Sequence, residues 1–168
     1  METIAVYWEA RVKVYSLTEK PGLAMGVLFF PTQRTGYWSG RLMELEASLN
    51  RFELVTCHGA EEGRMQLSVV IEASGRDTLL KLMDDWLQGE PSAQFMIEEQ
   101  VDLVFLHGPH FQDRFGIADT AFSALAKNNI RIMLSGCAGT SMYLVFAGDE
   151  GSTAMKILTD TFLIPTVA

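Results

Sequence analysis

The sequence predicts an α+β fold built from two tandem copies of one β–α–β–β–α unit, each an antiparallel sheet with its helices on one face. Three observations carry that prediction. The stretch Phe115–Phe146 (FGIADTAFSALAKNNIRIMLSGCAGTSMYLVF) passes from helical hydrophobic spacing to two strand-like runs separated by small residues. A looser copy of it runs from Trp38 to Ile71. Laid over each other at an offset near 76, the halves place Val69 on Val145, Val70 on Phe146, Leu79 on Met155, Leu82 on Leu158, Trp86 on Phe162 and Leu49 on Leu125. A repeat of this kind outweighs any single-segment assignment.

Composition sets the outer limits. The chain has 168 residues, 48% of them apolar, which is enough for a sizeable core. Its net charge is −8 and its sequence pI about 4.8. No basic block stands out, so binding to a nucleic-acid backbone is not expected. Cys57 and Cys137 are too few for a disulfide framework, and a reducing cytoplasm is the expected setting. The start, METIAVYWEARVKVY, is charged early and lacks the apolar centre of a signal peptide. The apolar run Leu23–Pro31 is far too short to span a bilayer. No membrane partner is expected.

In the first half, Thr3–Trp8 and Arg11–Leu17 read as strands from their alternating Val, Ile and aromatic content. Pro21–Gly22 signals a turn, because Pro presets φ and Gly accepts positive φ. Leu23–Phe30 is then a strand buried on both faces. A helix beginning at Pro21 competes with it; Gly26 inside the run and Pro31 at its end favour the strand. Thr32–Gly40 is polar and glycine-punctuated, hence a loop. Arg41–Asn50 is a helix with Leu42, Leu45 and Leu49 on one side and Ser39 as N-cap. Phe52–Cys57 and Met65–Ile71 are strands around the turn Gly59–Gly63. Ser74 onward is a helix with Leu79, Leu82, Met83 and Trp86 inward.

The second half repeats the order. Val101–Leu106 is strand, His107–Gly116 loop, and Ile117–Asn128 helix, with Ile117, Ala121 and Leu125 at steps of four and Phe122 beside them. Asp113 or Asp119 suits the positive end of that helix. Ile130–Leu134 is strand, Ser135–Thr140 a tight break, Met142–Phe146 strand. Gly148–Ser152 opens a last helix with Met155, Leu158 and Phe162 inward. The expected domains are 1–88 (a hairpin arm plus the first repeat), a linker at 89–100, and 101–168.

A β–α–β–β–α unit of this kind is the ferredoxin-like arrangement. The run from Phe115 through Gly116, Ile117 and Ala118 to Ala124-Leu125-Ala126, and on to Asn129-Ile130-Arg131-Ile132, resembles an ACT domain. In that family a Gly-Ile-Ala type start leads a helix ending in Ala-Leu-Ala, then an Asn-Ile-x-Ile strand. The similarity is greatest to the regulatory ACT domains of aspartokinases. Ala10–Ala24 (ARVKVYSLTEKPGLA) resembles the Lys-Pro-Gly-Ile-Ala opening of the first ACT domain of such enzymes. If Pro21–Gly22 is that opening, a helix starts at Leu23 and Thr32–Gly40 is an insertion. The repeat alignment instead makes Leu23–Phe30 the first strand and Thr3–Leu17 an added arm, and it places both helices. The resemblance implies a stand-alone, non-catalytic regulatory protein. It would bind an amino acid where two ACT domains meet, as a homo-oligomer and without a cofactor. Exposed sheet edges suit that pairing.

The candidate site is the loop His107–Ala118. Gly116 lets backbone approach a ligand closely. The amides of Gly116, Ile117 and Ala118 lie at a helix N-terminus and suit a carboxylate. Asp113 is placed for the ligand's ammonium and Arg114 for a second carboxylate contact; His110 and Phe115 belong to the same loop. Ser135 and Cys137, in the small-residue break, supply the opposite wall. Gln33, Arg34 and Tyr37 hold the equivalent loop position in the first copy, without the Gly-Ile-Ala motif, so the second copy is the expected binder. The spacing of His107, His110 and Asp113 invites a metal reading. Gly108 and Pro109 deny it helical geometry, and no metal is expected. A non-ligand module for dimerisation or docking is the alternative.

Overall fold

The computed structural model describes residues 11–49, 51–109 and 116–165. Strand β1 (Ser16–Pro31) leads to helix α1 (Thr35–Leu49), strands β2 (Leu54–Gly59) and β3 (Arg64–Glu72), and helix α2 (Arg76–Leu87). Then come β4 (Gln94–His107), α3 (Ile117–Lys127), β5 (Leu134–Ala138), β6 (Ser141–Ala147) and α4 (Gly151–Thr161). Hydrogen bonding orders the strands β2-β3-β1-β4-β6-β5. The expected α+β fold with repeated β–α–β–β–α units is the observed one. The chain divides into two compact units: Gly22–Val101, and the residues before Gly22 together with those from Asp102 on.

In the Gly22–Val101 unit, β3 pairs antiparallel with both β1 and β2. Leu67, Val69 and Ile71 of β3 and Ala24, Leu28 and Phe30 of β1 share one face with the buried stripe Leu79, Met83 and Trp86 of α2. Alternation along the strands and 3.6-residue spacing along the helix meet in that core. Helix α1 begins at Thr35, so most of the expected loop Thr32–Gly40 is helical. Trp38 decides this: it is 1% exposed and packs on Phe30, with ring centroids 5.8 Å apart. That burial outweighs the propensity cost of Gly36 and Gly40. Ser39 is therefore inside the helix, its hydroxyl donating to the carbonyl of Gly36, and is no N-cap.

In the other unit, Val104 and Leu106 of β4 and Met142, Leu144 and Phe146 of β6 pack on Ile117, Ala121 and Leu125 of α3 and Ala154 and Leu158 of α4. Phe122, expected beside the stripe, is 38% exposed. Val14 enters this core at 0% exposure. Its amide donates to the carbonyl of Leu163, the amide of Leu163 donates to the carbonyl of Val12, and the Tyr15 amide donates to the carbonyl of His107.

Four further expectations are corrected. Arg11–Tyr15 forms no strand of its own beyond a bridge between Lys13 and Leu163, and Thr3–Trp8 lies outside the described residues. The partner of Val12–Val14 is the C-terminal segment, a long-range pairing that local alternation cannot reveal. Pro21–Gly22 does not reverse the chain: Gly22 takes φ +70° within β1 and the strand continues. Gln94–Gln100, within the expected linker, belongs to β4. Finally, β5 is Leu134–Ala138 rather than Ile130–Leu134, so Ser135 and Cys137 are ladder residues and the turn is Gly139–Thr140. Pairing with β6 selects that register, setting Leu134 opposite Val145 and Cys137 opposite Met142.

Candidate functional site

Helix α3 starts from Gly116, whose φ of +89° belongs to the left-handed region that favours glycine. Gly116 supplies no capping side chain. Its carbonyl accepts the first helical bond, from the Thr120 amide at 2.9 Å. The amides that follow form the positive end of the helix. Ile117 is 1% exposed and anchors this end in the core, Ala118 packs half-buried against the same core, and Asp119 is exposed in the first turn.

The end of β4 meets this helix start and carries the β5–β6 hairpin tip beside it. A Cβ placed on Gly108, just past β4, would lie 3.4 Å from Ile117 Cδ1 and 3.9 Å from Val14 Cγ1. The Gly108 amide donates to the carbonyl of Thr140, at the tip of the β5–β6 hairpin, over 2.9 Å. Beside it, His107 Nδ1 and Ser141 Oγ share a 2.8 Å hydrogen bond, and the imidazole stacks on Phe105 with centroids 5.9 Å apart. The end of β4 is thus tied by backbone to the hairpin tip, and the Ile117 side chain of α3 packs beside Gly108.

Of the residues expected at the site, Gly116, Ile117 and Ala118 stand at the α3 start as read. His110, Asp113, Arg114 and Phe115 lie outside the described residues. Ser135 and Cys137 do not sit at the hairpin tip. They face Leu144 and Met142 across the ladder, which puts them on the helix-covered side of the sheet, exposed at its β5 edge. Burial pushes the Cys137 thiol above its ordinary pKa, away from the activated thiolate a nucleophile needs. On the opposite face Tyr143 lies over Gly136, leaving no room there for a Cβ. Desolvation, and secondarily the nearby Cys137, raises the Tyr143 hydroxyl.

Gly139, at φ +60°, and Thr140 fall within the Ser135–Thr140 break that the sequence offered as the opposite wall, and Ser141 is the residue that sequence reasoning passed over. In the first copy, Arg34 is already engaged. Its Nε donates to Oε2 of Glu90 at 2.9 Å, and Glu90 is only 7% exposed. Its guanidinium also sits 4.6 Å over the Tyr37 ring. That loop position is filled by the protein's own ion pair. Among the described residues no group of three His, Cys, Asp or Glu side chains is placed to hold a metal ion. No described helix is long and apolar enough to cross a membrane.

No known family's sequence profile matches the chain, and no curated protein sequence matches it. Solved structures do. The regulatory subunit of aspartate kinase from Thermus flavus superposes with TM-score 0.77 at 12% identity, covering 90% of this chain and 99% of that one. Aspartate kinase from Synechocystis gives TM-score 0.78 at 17% identity, over 94% of this chain and 29% of that one. E. coli aspartokinase III in complex with lysine and aspartate gives 0.62 at 16%, over 94% of this chain and 35% of that one. The fold is that of the regulatory domains of aspartate kinases. The chain spans nearly the whole of the isolated regulatory subunit and about a third of the complete kinases. In this ACT-type fold, the Gly116 helix start and the Gly139–Thr140 tip belong to one unit.

Proposed function

We propose that the chain is a regulatory module that binds a small metabolite, an amino acid, at the start of α3, and that it works as an oligomer with the ligand held where one copy meets another. The observation that carries this reading is the α3 N-terminus: Gly116, in the left-handed region, brings no capping side chain to the first-turn amides. A ligand carboxylate fits those amides and the helix dipole. The likeness to aspartate kinase regulatory domains, one of them in a structure with lysine and aspartate, supports an amino acid as the ligand class. Asp113 and Arg114 are the residues we assign to the ligand's ammonium and to a further carboxylate contact. The module itself is read as non-catalytic and cytoplasmic.

Isothermal titration of the twenty amino acids into the purified chain tests the reading. At least one should bind, and Gly116→Val should abolish it while leaving the fold intact by circular dichroism. Binding by none, or undiminished binding to the variant, removes this site.

The second reading, pairing without a ligand, has an observation of its own. The outermost strands β2 (LVTCHG) and β5 (LSGCA) carry no Lys, Arg, Asp, Glu or Pro, the usual guards of an exposed edge. Both cysteines sit on these edges and both are free. Mild oxidation of Cys57→Ser and Cys137→Ser variants should therefore report which edge meets its own copy. A covalent dimer that depends on one cysteine, with no amino acid binding, would favour this alternative.

A further inference from the structure

A groove of about 490 Å³ lies at the turn end of the β2–β3 hairpin in the Gly22–Val101 unit, lined by Phe29, His58, Glu61, Glu62, Arg64 and Gln66 with Ala60. The register explains the lining. Phe29 pairs with Gln66 and His58 with Gln66, so these side chains share a face. Leu67 faces the helices, which puts that face on the other side of the sheet. The groove therefore lies on the opposite sheet face from α1 and α2, and it uses none of the residues assigned to the α3 site.

Its chemistry is unusual in one respect. The half-buried Arg64 guanidinium is held by neutral oxygens alone: Nη2 donates to the carbonyls of Phe29 and Ser92, each at 3.3 Å, and Nη1 to Oε1 of Gln94 at 3.4 Å. Its Nε is buried and has no partner, and the guanidinium carbon lies 5.9 Å from the Phe29 ring centroid. The chain has eight more acidic than basic residues, yet among the described residues no carboxylate pairs with this fixed cation. A partly buried charge is stabilised by an opposite charge. With both Nη2 hydrogens and one Nη1 hydrogen donated and Nε buried, the second Nη1 hydrogen is left for a carboxylate oxygen. Glu61 and Glu62 stand in the same groove, exposed. They repel a simple anion and attract an ammonium.

We infer that this groove is a binding site for a small amino carboxylate, with the ligand's carboxylate on Arg64 and its ammonium on Glu61 and Glu62. His58 and Gln66 complete the polar wall, and the Phe29 ring backs the ligand's methylenes. The zwitterion is selected because either charged end alone meets one like-charged wall. The site stands independently of the α3 reading.

The test uses amide chemical-shift mapping by NMR on the full chain. The probes are glycine, β-alanine and 4-aminobutyrate, which vary only the distance between the two charges, with acetate and methylammonium as one-ended controls. At least one zwitterion should shift the amides of residues 58–66 saturably, at least tenfold more tightly than either control. Arg64→Gln should weaken it at least tenfold, Arg64→Lys less, and Glu61→Gln with Glu62→Gln at least tenfold. Gly116→Val should leave it unchanged, which separates this site from the one at α3. Glu61 and Glu62 are exposed, so their replacement keeps the test valid if Arg64→Gln fails to fold. The inference is overturned if no zwitterion gives saturable shifts there, if acetate or methylammonium binds as tightly, or if the Glu61/Glu62 variant binds like the parent.

Discussion

One chemical change, Gly→Ala, should move stability in opposite directions at two helical positions. Gly151 is the first residue of α4 and is buried. A Cβ there would overlap Asp102 at Cβ and Oδ2 and come within 2.7 Å of its Cγ. Asp102 is itself 4% exposed, so neither group has solvent to move into. Overpacking of this kind costs about 1–3 kcal/mol. Pushing a buried carboxylate off its contacts adds about 1–3 kcal/mol more. The helix-propensity gain of Ala over Gly, at most about 1 kcal/mol, offsets part of this. Gly151→Ala should therefore destabilise the chain by about 1–5 kcal/mol. Gly40, inside α1, has no atom within 4 Å of the corresponding position. There the propensity term acts alone, and Gly40→Ala should stabilise by about 0.5–1 kcal/mol. Urea denaturation followed by far-ultraviolet circular dichroism reads both midpoints, and amide exchange in α4 localises the first. Equal directions of shift, or a Gly151→Ala protein as stable as the parent, would refute the packing of Asp102 against α4.

Three further outcomes follow from the same geometry. Gly116→Ala meets no steric neighbour but must hold φ near +89°, so it should cost about 1–2 kcal/mol in thermal unfolding, and Gly116→Asn less. Val14→Ala removes two methyl groups from a site with 0% exposure and should cost about 2–3 kcal/mol, with amide exchange accelerating at Tyr15 and Leu163 before it does in α2. Burial raises both the Cys57 and the Cys137 thiol, so each holds less thiolate at neutral pH than an ordinary cysteine. Alkylation by iodoacetamide should run slower than for glutathione at pH 8 and keep rising at pH values where glutathione has levelled off.

The apolar stripes of α2, α3 and α4 were legible because 3.6-residue spacing is a local property: Leu79, Met83 and Trp86, then Ile117, Ala121 and Leu125, stand out without any partner. Partners decided what was missed. Trp38 pulls α1 forward over two glycines because Phe30 waits for it in the sheet. Val12–Val14 takes its place from Leu163, almost the full length of the chain away. The strand β4 extends back through Gln94–Val101, a stretch rich in polar residues whose alternation is weak. The α3 end of the candidate site was readable from Gly116-Ile117-Ala118, where glycine, core anchor and helix start coincide. The Arg64 groove was not, because its cation is notable only for what surrounds it.

The hairpin register shows how a small misreading of a repeat displaces a site. In the first copy Cys57 pairs with Leu67, and in the second Cys137 pairs with Met142. From β3 to β6 the offset is therefore 75 (142 less 67), and from β2 to β5 it is 80 (137 less 57). A uniform offset of 76 places Val69 on Val145, which turns a helix-facing residue toward the other side of the sheet. At 75, Leu67, Val69 and Ile71 fall on Met142, Leu144 and Phe146, core on core. The same shift joins Leu79 to Ala154 and Met83 to Leu158 in the following helices. The five-residue difference is absorbed by the hairpin, shortened in the second copy to Gly139–Thr140. That shortening lets Thr140 accept the Gly108 amide, while the longer first hairpin, Ala60–Gly63, borders the Arg64 groove. One repeat thus uses its hairpin to tie down the end of β4, and in the other the hairpin borders an open groove on the sheet face away from the helices.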